Sequence, residues 1–312
     1  MSTLRDEMEE MIVVRQSLGF DGNSTRNMLN PFIKFCENKY PDAECITKEM
    51  TDSWLLFKNY TINTQIAFIA SLRNLCKHMR FTGSGNFVPN EEYNMKKTVF
   101  EARPLNKYEL NIFFKTVDNH IPATIAIKYH GEYILPVLFR MMFCLGLRPG
   151  EPLRLRTEDV NLETGEVYIR ESKKHRDRHL FMSEDLLLLC RKYDDKMPKD
   201  REFFFETVGK QIQTPWMTRN FKKLAEKAGL PQEIRPYDLR HTFASLNLIK
   251  WLEEGKEAMD LMPYLSQFMG HSDLSATCYY IHLLPNEIKM CSKIDWGELN
   301  RVYKGFGYEE NE

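Results

Sequence analysis

Arg235-Pro236-Tyr237-Asp238-Leu239-Arg240-His241-Thr242-Phe243-Ala244-Ser245 opens a helical pattern that extends to Trp251. Tyr237 and Arg240 share one face of this helix at i, i+3, while Leu239, Phe243 and Leu246 make its core stripe. Upstream, Leu145-Gly146-Leu147-Arg148-Pro149-Gly150-Glu151 places Gly146 at the close of a buried helix. Arg148 begins the next turn, a junction from which an arginine can point into a cleft, and Glu151 reads as structural, bonding the backbone beside it. Downstream, Phe268-Met269-Gly270-His271 sets His271 just before a helix start, and Thr277-Cys278-Tyr279-Tyr280-Ile281-His282 follows with two adjacent tyrosines.

Around these motifs the chain reads as mainly α with a small antiparallel β-sheet. Helical spacing predicts Tyr108 to Val117, then Tyr133 to Leu145, which is apolar nearly all round and therefore buried. Asp159 to Arg170 alternates around Thr164-Gly165, and alternation resumes at His179 to Ser183, so a short sheet is inserted among helices. Further helices are predicted over Asp185–Tyr193, Thr218–Ala228, Met259–Met269 and Ser275–His282. The first hundred residues read as a four-helix unit: Leu4 to Leu18, a segment opened by Asn23-Ser24-Thr25, Lys48 to Tyr60 and Ile62 to Met79. From Thr82 the pattern loses periodicity and gathers Gly, Asn and Pro, as linkers do. The domain plan is a helical unit over 1–88, a linker over 89–103, and a second domain over 104–312 with a C-terminal tail helix. In that tail Ile288, Met290, Ile294, Trp296 and Leu299 mark the apolar positions.

Composition narrows the class. No window approaches the roughly 18 apolar residues of a membrane span, and the acidic start does not read as a secretory signal, so an intracellular protein without a membrane partner is expected. The seven cysteines form no Cys-x-x-Cys pair and read as buried reduced thiols. No Cys/His cluster has zinc spacing; His175 and His179, four apart, lie in a charge-rich stretch that reads as a hairpin, so no metal or other cofactor is expected. With 43 Lys+Arg against 44 Asp+Glu the net charge is −1, which alone argues mildly against a nucleic-acid partner. The charge is clustered, however, in Arg170, Lys173, Lys174, Arg176 and Arg178, and at helical spacing in Arg219, Lys222, Lys223 and Lys227.

The four motifs, in this order, resemble the tyrosine recombinases, the phage integrase family, over about residues 104 to 285. The family's pattern is an arginine after Gly-Leu, a lysine in a β-hairpin, His-x-x-Arg, Gly-His, and a tyrosine nine residues on. Arg148, Arg240, His271 and Tyr280 match it directly, and the spacing from His271 selects Tyr280 over Tyr279. The run from Lys173 to Arg178 resembles the family's Lys-x-x-x-x-Arg, which carries the catalytic lysine onto Lys173, with Lys174 as the alternative. Tyr237 stands where the family has histidine, leaving open whether a phenol fills that role. The N-terminal unit resembles the family's helical core-binding domain in pattern, and no small arm-binding domain precedes it.

The resemblance implies a site-specific recombinase of a mobile element or phage, acting on double-stranded DNA as a homo-tetramer on two duplexes. A phosphotyrosyl intermediate, a Holliday junction and, in some members, a DNA-bending accessory factor go with it, as does a bacterial cytoplasmic, nucleoid-associated location. Its implied chemistry fits the residue inventory. Guanidinium forks hold a phosphate bidentately without deprotonating, so Arg148 and Arg240 can stabilise its charge and no metal or ATP is needed. A phenol of pKa about 10 needs a positive field or a base, for which His271 and the arginines are the candidates. Lys173 is placed to protonate the leaving 5′ oxygen. A type IB topoisomerase shares these residues but reseals the same strand, and a DNA-binding accessory protein would lack cleavage. Each residue alone also has a plain reading, Arg148 as a surface arginine and His271 as a core histidine.

Overall fold

The computed structural model describes residues 3–20, 22–98, 102–120, 131–170, 177–207, 209–271 and 273–282. The chain is mainly helical with short antiparallel strand pairs, and it divides into two compact units, Met1–Phe100 and Glu101–Glu312.

The first unit consists of α1 (Leu4–Ser17), α2 (Gly22–Lys39), α3 (Lys48–Lys58) and α4 (Ile62–Thr82). Thr3 and Asp6 form a capping box that satisfies the free N–H groups opening α1, and the Thr47 hydroxyl accepts from the Met50 N–H at the start of α3. Buried residues on α4 fall at three-and-four spacing (Phe68, Ile69, Leu72, Leu75, Cys76, Met79), so one stripe meets Met8 and Ile12 of α1 and Phe32 of α2. Phe32 packs edge-on to both Trp54 and Phe68, with ring centroids at 5.9 and 5.4 Å. Residues 89–98, which composition reads as linker, pack on this unit. The Arg73 guanidinium donates to the carbonyls of Pro89 and Asn90, and Tyr93 is buried with its hydroxyl on Asp52 at 2.7 Å.

The second unit is built round α6 (Gly131–Cys144), against which pack α5 (Lys107–Asp118), α8 (Glu184–Asp194) and α10 (Pro236–Glu253). The short α7 (Gly150–Arg154) follows α6, and α9 (Thr214–Lys227) lies on α5. Strands β1 (Glu166–Ile169) and β2 (Arg178–Phe181) pair antiparallel, Val167 opposite Leu180, and Val160 bridges Val167 across the Thr164-Gly165 turn. A second small hairpin, β3 (Glu206–Thr207) with β4 (Lys210–Gln211), carries too few residues to show alternation in sequence. Finally α11 (Ala258–Met269) and α12 (Ser275–His282) pack against each other and on α10.

On α10 the expected core stripe is only partly right. Leu239 is buried, but Phe243 and Leu246 are half-buried, and the deepest positions include Arg240, Ala244, Ser245 and Leu248. The reason is that α10 packs against three helices, α6, α11 and α12, so no single stripe is its inside. Cys36, Cys76, Cys190 and Cys278 are buried free thiols, as expected, while Cys45 and Cys144 are half-buried. Among the described residues no helix is long and apolar enough to cross a membrane. Lys173, Lys174, His175 and the apolar tail positions from Ile288 to Leu299 lie outside the described residues.

Candidate active site

Two helix ends create the site. Helices α6 and α11 both terminate on a glycine in the left-handed region, Gly146 at φ 57° and Gly270 at φ 65°, a conformation that costs other residues strain. A Cβ on Gly146 would come within 2.7 Å of the Phe243 ring. The turns expose carbonyls that have no helical partner, and arginines take them. Arg240 donates to Gly146 O at 2.6 Å and to Met269 O at 2.8 Å, whereas Arg148 donates to Gly270 O at 2.5 Å. The motif around residue 146 and the motif around residue 270, 122 positions apart in the Arg148 bond, are thereby tied together.

Glu151 is the counter-charge. Its carboxylate accepts from the Arg148 backbone N–H (2.8 Å) and side chain (2.9 Å), which is the structural role expected of it. It also takes a bidentate pair from Arg178 at 3.0 and 2.9 Å, and Arg178 Nε donates to Phe268 O at 2.9 Å. Burial alone would push the Glu151 carboxyl up; the Arg178 hydrogen bonds and charge, with the Arg148 N–H, outweigh it and hold it below the usual carboxylate range. Burial lowers the pKa of Arg240, which is fully buried.

Tyr280 and His271 complete the cluster. Their rings stack at 6.0 Å and 17°, and both are buried. Burial pushes the Tyr280 phenol up to about 12, the Arg240 charge pulling the other way. Burial, then the charges of Arg240 and Arg148, push His271 down to about 3, so its imidazole is neutral at ordinary pH and its Nδ1 sits 2.6 Å from the Thr277 hydroxyl. The expectation that His271 adds positive field therefore fails for this state: the field comes from the arginines, and His271 offers hydrogen bonding. Tyr279 is engaged elsewhere, its hydroxyl accepting from the Ala102 N–H at 3.2 Å. Arg103 N–H and Leu105 N–H likewise bond Asp238 and Thr242, so the strap 102–105 is pinned to α10 and α12.

Tyr237 lies half-buried on α10, its ring 4.8 Å from that of His241, and both line an open cleft of about 700 Å³ with Pro149, Thr218, Lys222 and Arg235. The structure thus brings Arg148, Arg240, His271 and Tyr280 together, with Tyr237 on the next helical turn from Arg240. Sequence reasoning placed Arg178 only in the basic run and in the Lys-x-x-x-x-Arg match, without a role at the site, and gave His241 none. Arg178 occupies an inward position of β2, where Arg178 and Leu180 are buried and His179 and Phe181 exposed, so period-two alternation could have shown it. His241 is buried between the rings of Tyr237 and Tyr280, and its i, i+4 relation to Tyr237 was the available signal. Burial, then Arg240 and Arg235, push His241 down to about 4. The basic stretch is smaller than its composition suggests, because Arg170 pairs with Asp159 and Glu158, and Arg178 is internal. Arg219, Lys222, Lys223 and Lys227 are all exposed on α9.

Residues 92–287 match the family model described as the phage integrase family. The chain belongs to that family. Among relatives of this integrase-family chain is the tyrosine recombinase XerA of Saccharolobus solfataricus, 29% identical over 154 residues, 49% of this chain and 47% of that protein. XerA of Pyrococcus furiosus is 28% identical over 295 residues, 92% of this chain and 93% of that protein. A crystal structure of a lambda integrase tetramer bound to a Holliday junction superposes with a TM-score of 0.62 at 15% identity, covering 89% of this chain and 77% of that one. At that identity the likeness is one of fold.

Proposed function

We propose that this integrase-family protein cuts and rejoins double-stranded DNA at a specific site, with Tyr280 as nucleophile and Arg148 and Arg240 as the phosphate-binding pair. The observation that carries the reading is the convergence of both arginines with the stacked Tyr280–His271 pair at the glycine-capped ends of α6 and α11. In the reaction the Tyr280 oxygen attacks phosphorus and the P–O5′ bond breaks, leaving a 3′-phosphotyrosyl bond. The phenolic proton passes to a base, for which neutral His271 is the candidate, and the leaving 5′ oxygen takes a proton from Lys173, or from Lys174 in its place. Charge gathering on the non-bridging oxygens is what preorganised guanidinium groups stabilise, typically by several kcal/mol. Tyr237 occupies the family histidine's place, where its hydroxyl can donate to the same phosphate.

In the free protein the arginine donors are spent on carbonyls and Glu151, and the Tyr280 phenol is pushed up to about 12. Bound phosphate supplies the competing acceptor that turns these donors outward. The exposed basic face of α9 supports duplex backbone contact despite the net charge of −1. Attack on the phosphotyrosine by the 5′-hydroxyl of a second duplex reseals DNA without ATP. This reading implies four protomers on two duplexes and a Holliday junction between successive exchanges, in a mobile element or phage within a bacterial cytoplasm.

Covalent trapping on a nicked suicide duplex carrying the site next to the protein's own gene tests it. The adduct is expected with the native protein and Tyr279→Phe and absent with Tyr280→Phe. A bound site without any adduct supports a DNA-binding accessory role instead, and relaxation without exchange between two labelled duplexes supports a topoisomerase.

A further inference from the structure

The N-terminal unit holds a second group of chemistry-bearing residues that the integrase site does not use. Glu7 and Glu10 lie one turn apart on α1, and His78 faces them from the last turns of α4. His78 Nε2 is 3.8 Å from Glu7 Oε2 and 4.0 Å from Glu10 Oε2, and the three donor atoms lie within 4.8 Å of one another. Nε2 is a buried atom with no hydrogen-bond partner. The Glu7 side chain is only 5% exposed, and among the described residues no lysine or arginine pairs with it; the Thr82 hydroxyl donates to its Oε2 at 3.3 Å.

A buried carboxylate and a buried imidazole nitrogen are costly when left without partners. Here they face each other at a separation too long for a hydrogen bond. It suits two ligands of one ion. Metal–ligand bonds of about 2.0–2.2 Å at a tetrahedral centre space their donor atoms by roughly 3.4 Å, so the two histidine–carboxylate separations of 3.8 and 4.0 Å have to contract by about half an ångström and the Glu7–Glu10 separation, within 4.8 Å, by up to about 1.4 Å. Glu10 is exposed and free to swing inward, whereas Glu7 is buried, with the Thr82 hydroxyl, which also faces the His78 and Met79 carbonyls, within reach of its Oε2.

We infer that Glu7, Glu10 and His78 form a site for a divalent cation of the zinc class, with a fourth position open to water, which clips α1 to α4. One imidazole and two carboxylates match such an ion better than calcium or magnesium, which favour all-oxygen shells. The site binds α1 to a helix some seventy residues further along, stabilising the folded unit because the unfolded chain does not gather the three ligands. The alternative occupant is a proton, which would make the cluster an imidazolium held between two carboxylates.

The test is a calorimetric titration of Zn²⁺ into full-length, chelator-stripped protein at neutral pH, with His78→Asn and Glu10→Gln alongside. One equivalent is expected to bind with micromolar or tighter affinity and to raise the melting temperature by several degrees. Each variant should weaken that binding at least about tenfold. Glu10 is exposed, so Glu10→Gln keeps the fold and its circular dichroism; the pair of variants also separates this site from zinc held by cysteines elsewhere. Absence of binding at about 100 µM Zn²⁺, where a real site would add stability by mass action, overturns the inference, as does binding that both variants leave unchanged.

Discussion

The two units contain arginine–carboxylate pairs of opposite kinds. In Met1–Phe100 the Arg5–Glu37 pair sits at 2.8 Å with its side chains 44% and 42% exposed, while in Glu101–Glu312 the Glu151–Arg178 pair at 2.9 Å is 1% and 8% exposed. A surface pair keeps most of its hydration and contributes little beyond it. A buried pair has lost several kcal/mol of hydration per ion, and its attraction repays that loss only if every donor and acceptor is used. Glu151 meets that condition, with both oxygens shared between Arg178 and Arg148. Such a pair is a poor source of stability compared with packed apolar residues. Its placement between Arg148, the proposed phosphate ligand, and the hairpin reads instead as the means of aiming Arg148.

The sharpest way to break this comparison is Glu151→Ala, which strands Arg178 in the interior. A loss of about 3–5 kcal/mol is expected by denaturant unfolding, and a loss below about 1 kcal/mol would mean that the two pairs do not differ in kind. Acid is the next largest lever. His271 and His241 have folded-state values of about 3 and about 4, below the usual value of about 6.5, and both are buried. As the pH falls below about 6.5 the unfolded chain takes up protons that these rings refuse, so stability is lost from there down to the folded-state values. The slope is up to about 1.4 kcal/mol per pH unit for each histidine; thermal unfolding between pH 7 and 5 measures it, and His241→Asn should flatten it. The smallest effect is reserved for Glu37→Ala, expected to cost under about 1 kcal/mol and to vanish in high salt. A larger, salt-independent loss there would mean that exposure does not set what this pair contributes.

Much of the helical plan was readable because amphipathic period and caps are local. The predicted Ile62 to Met79 became Ile62–Thr82, ending on Gly83 at φ 81°, and Ser275–His282 appeared with those bounds. The failures are tertiary. Phe243 and Leu246 were read as core because a single stripe was assumed, and residues 89–98 were read as linker because Arg73, Asn63 and Asp52, which hold them, are distant in sequence. At the candidate site the directly matched residues converge, yet nothing local announced that Arg178 would share Glu151 with Arg148.

By itself, then, the order of residues determined the helices, the turn glycines and which side chains are candidates for phosphate chemistry, since those depend on neighbours a few positions away. Protonation states were decided only by the tertiary structure. Tyr280 is up at about 12 because burial outweighs the pull of the Arg240 charge, and His271 is down at about 3 because burial and the charges of Arg240 and Arg148 act together, Arg240 coming from α10 and Arg148 from the turn before α7. The same holds for Glu7, Glu10 and His78, which no spacing rule connects. Desolvation and charge proximity are properties of three-dimensional packing, and a sequence carries them only through the fold it makes.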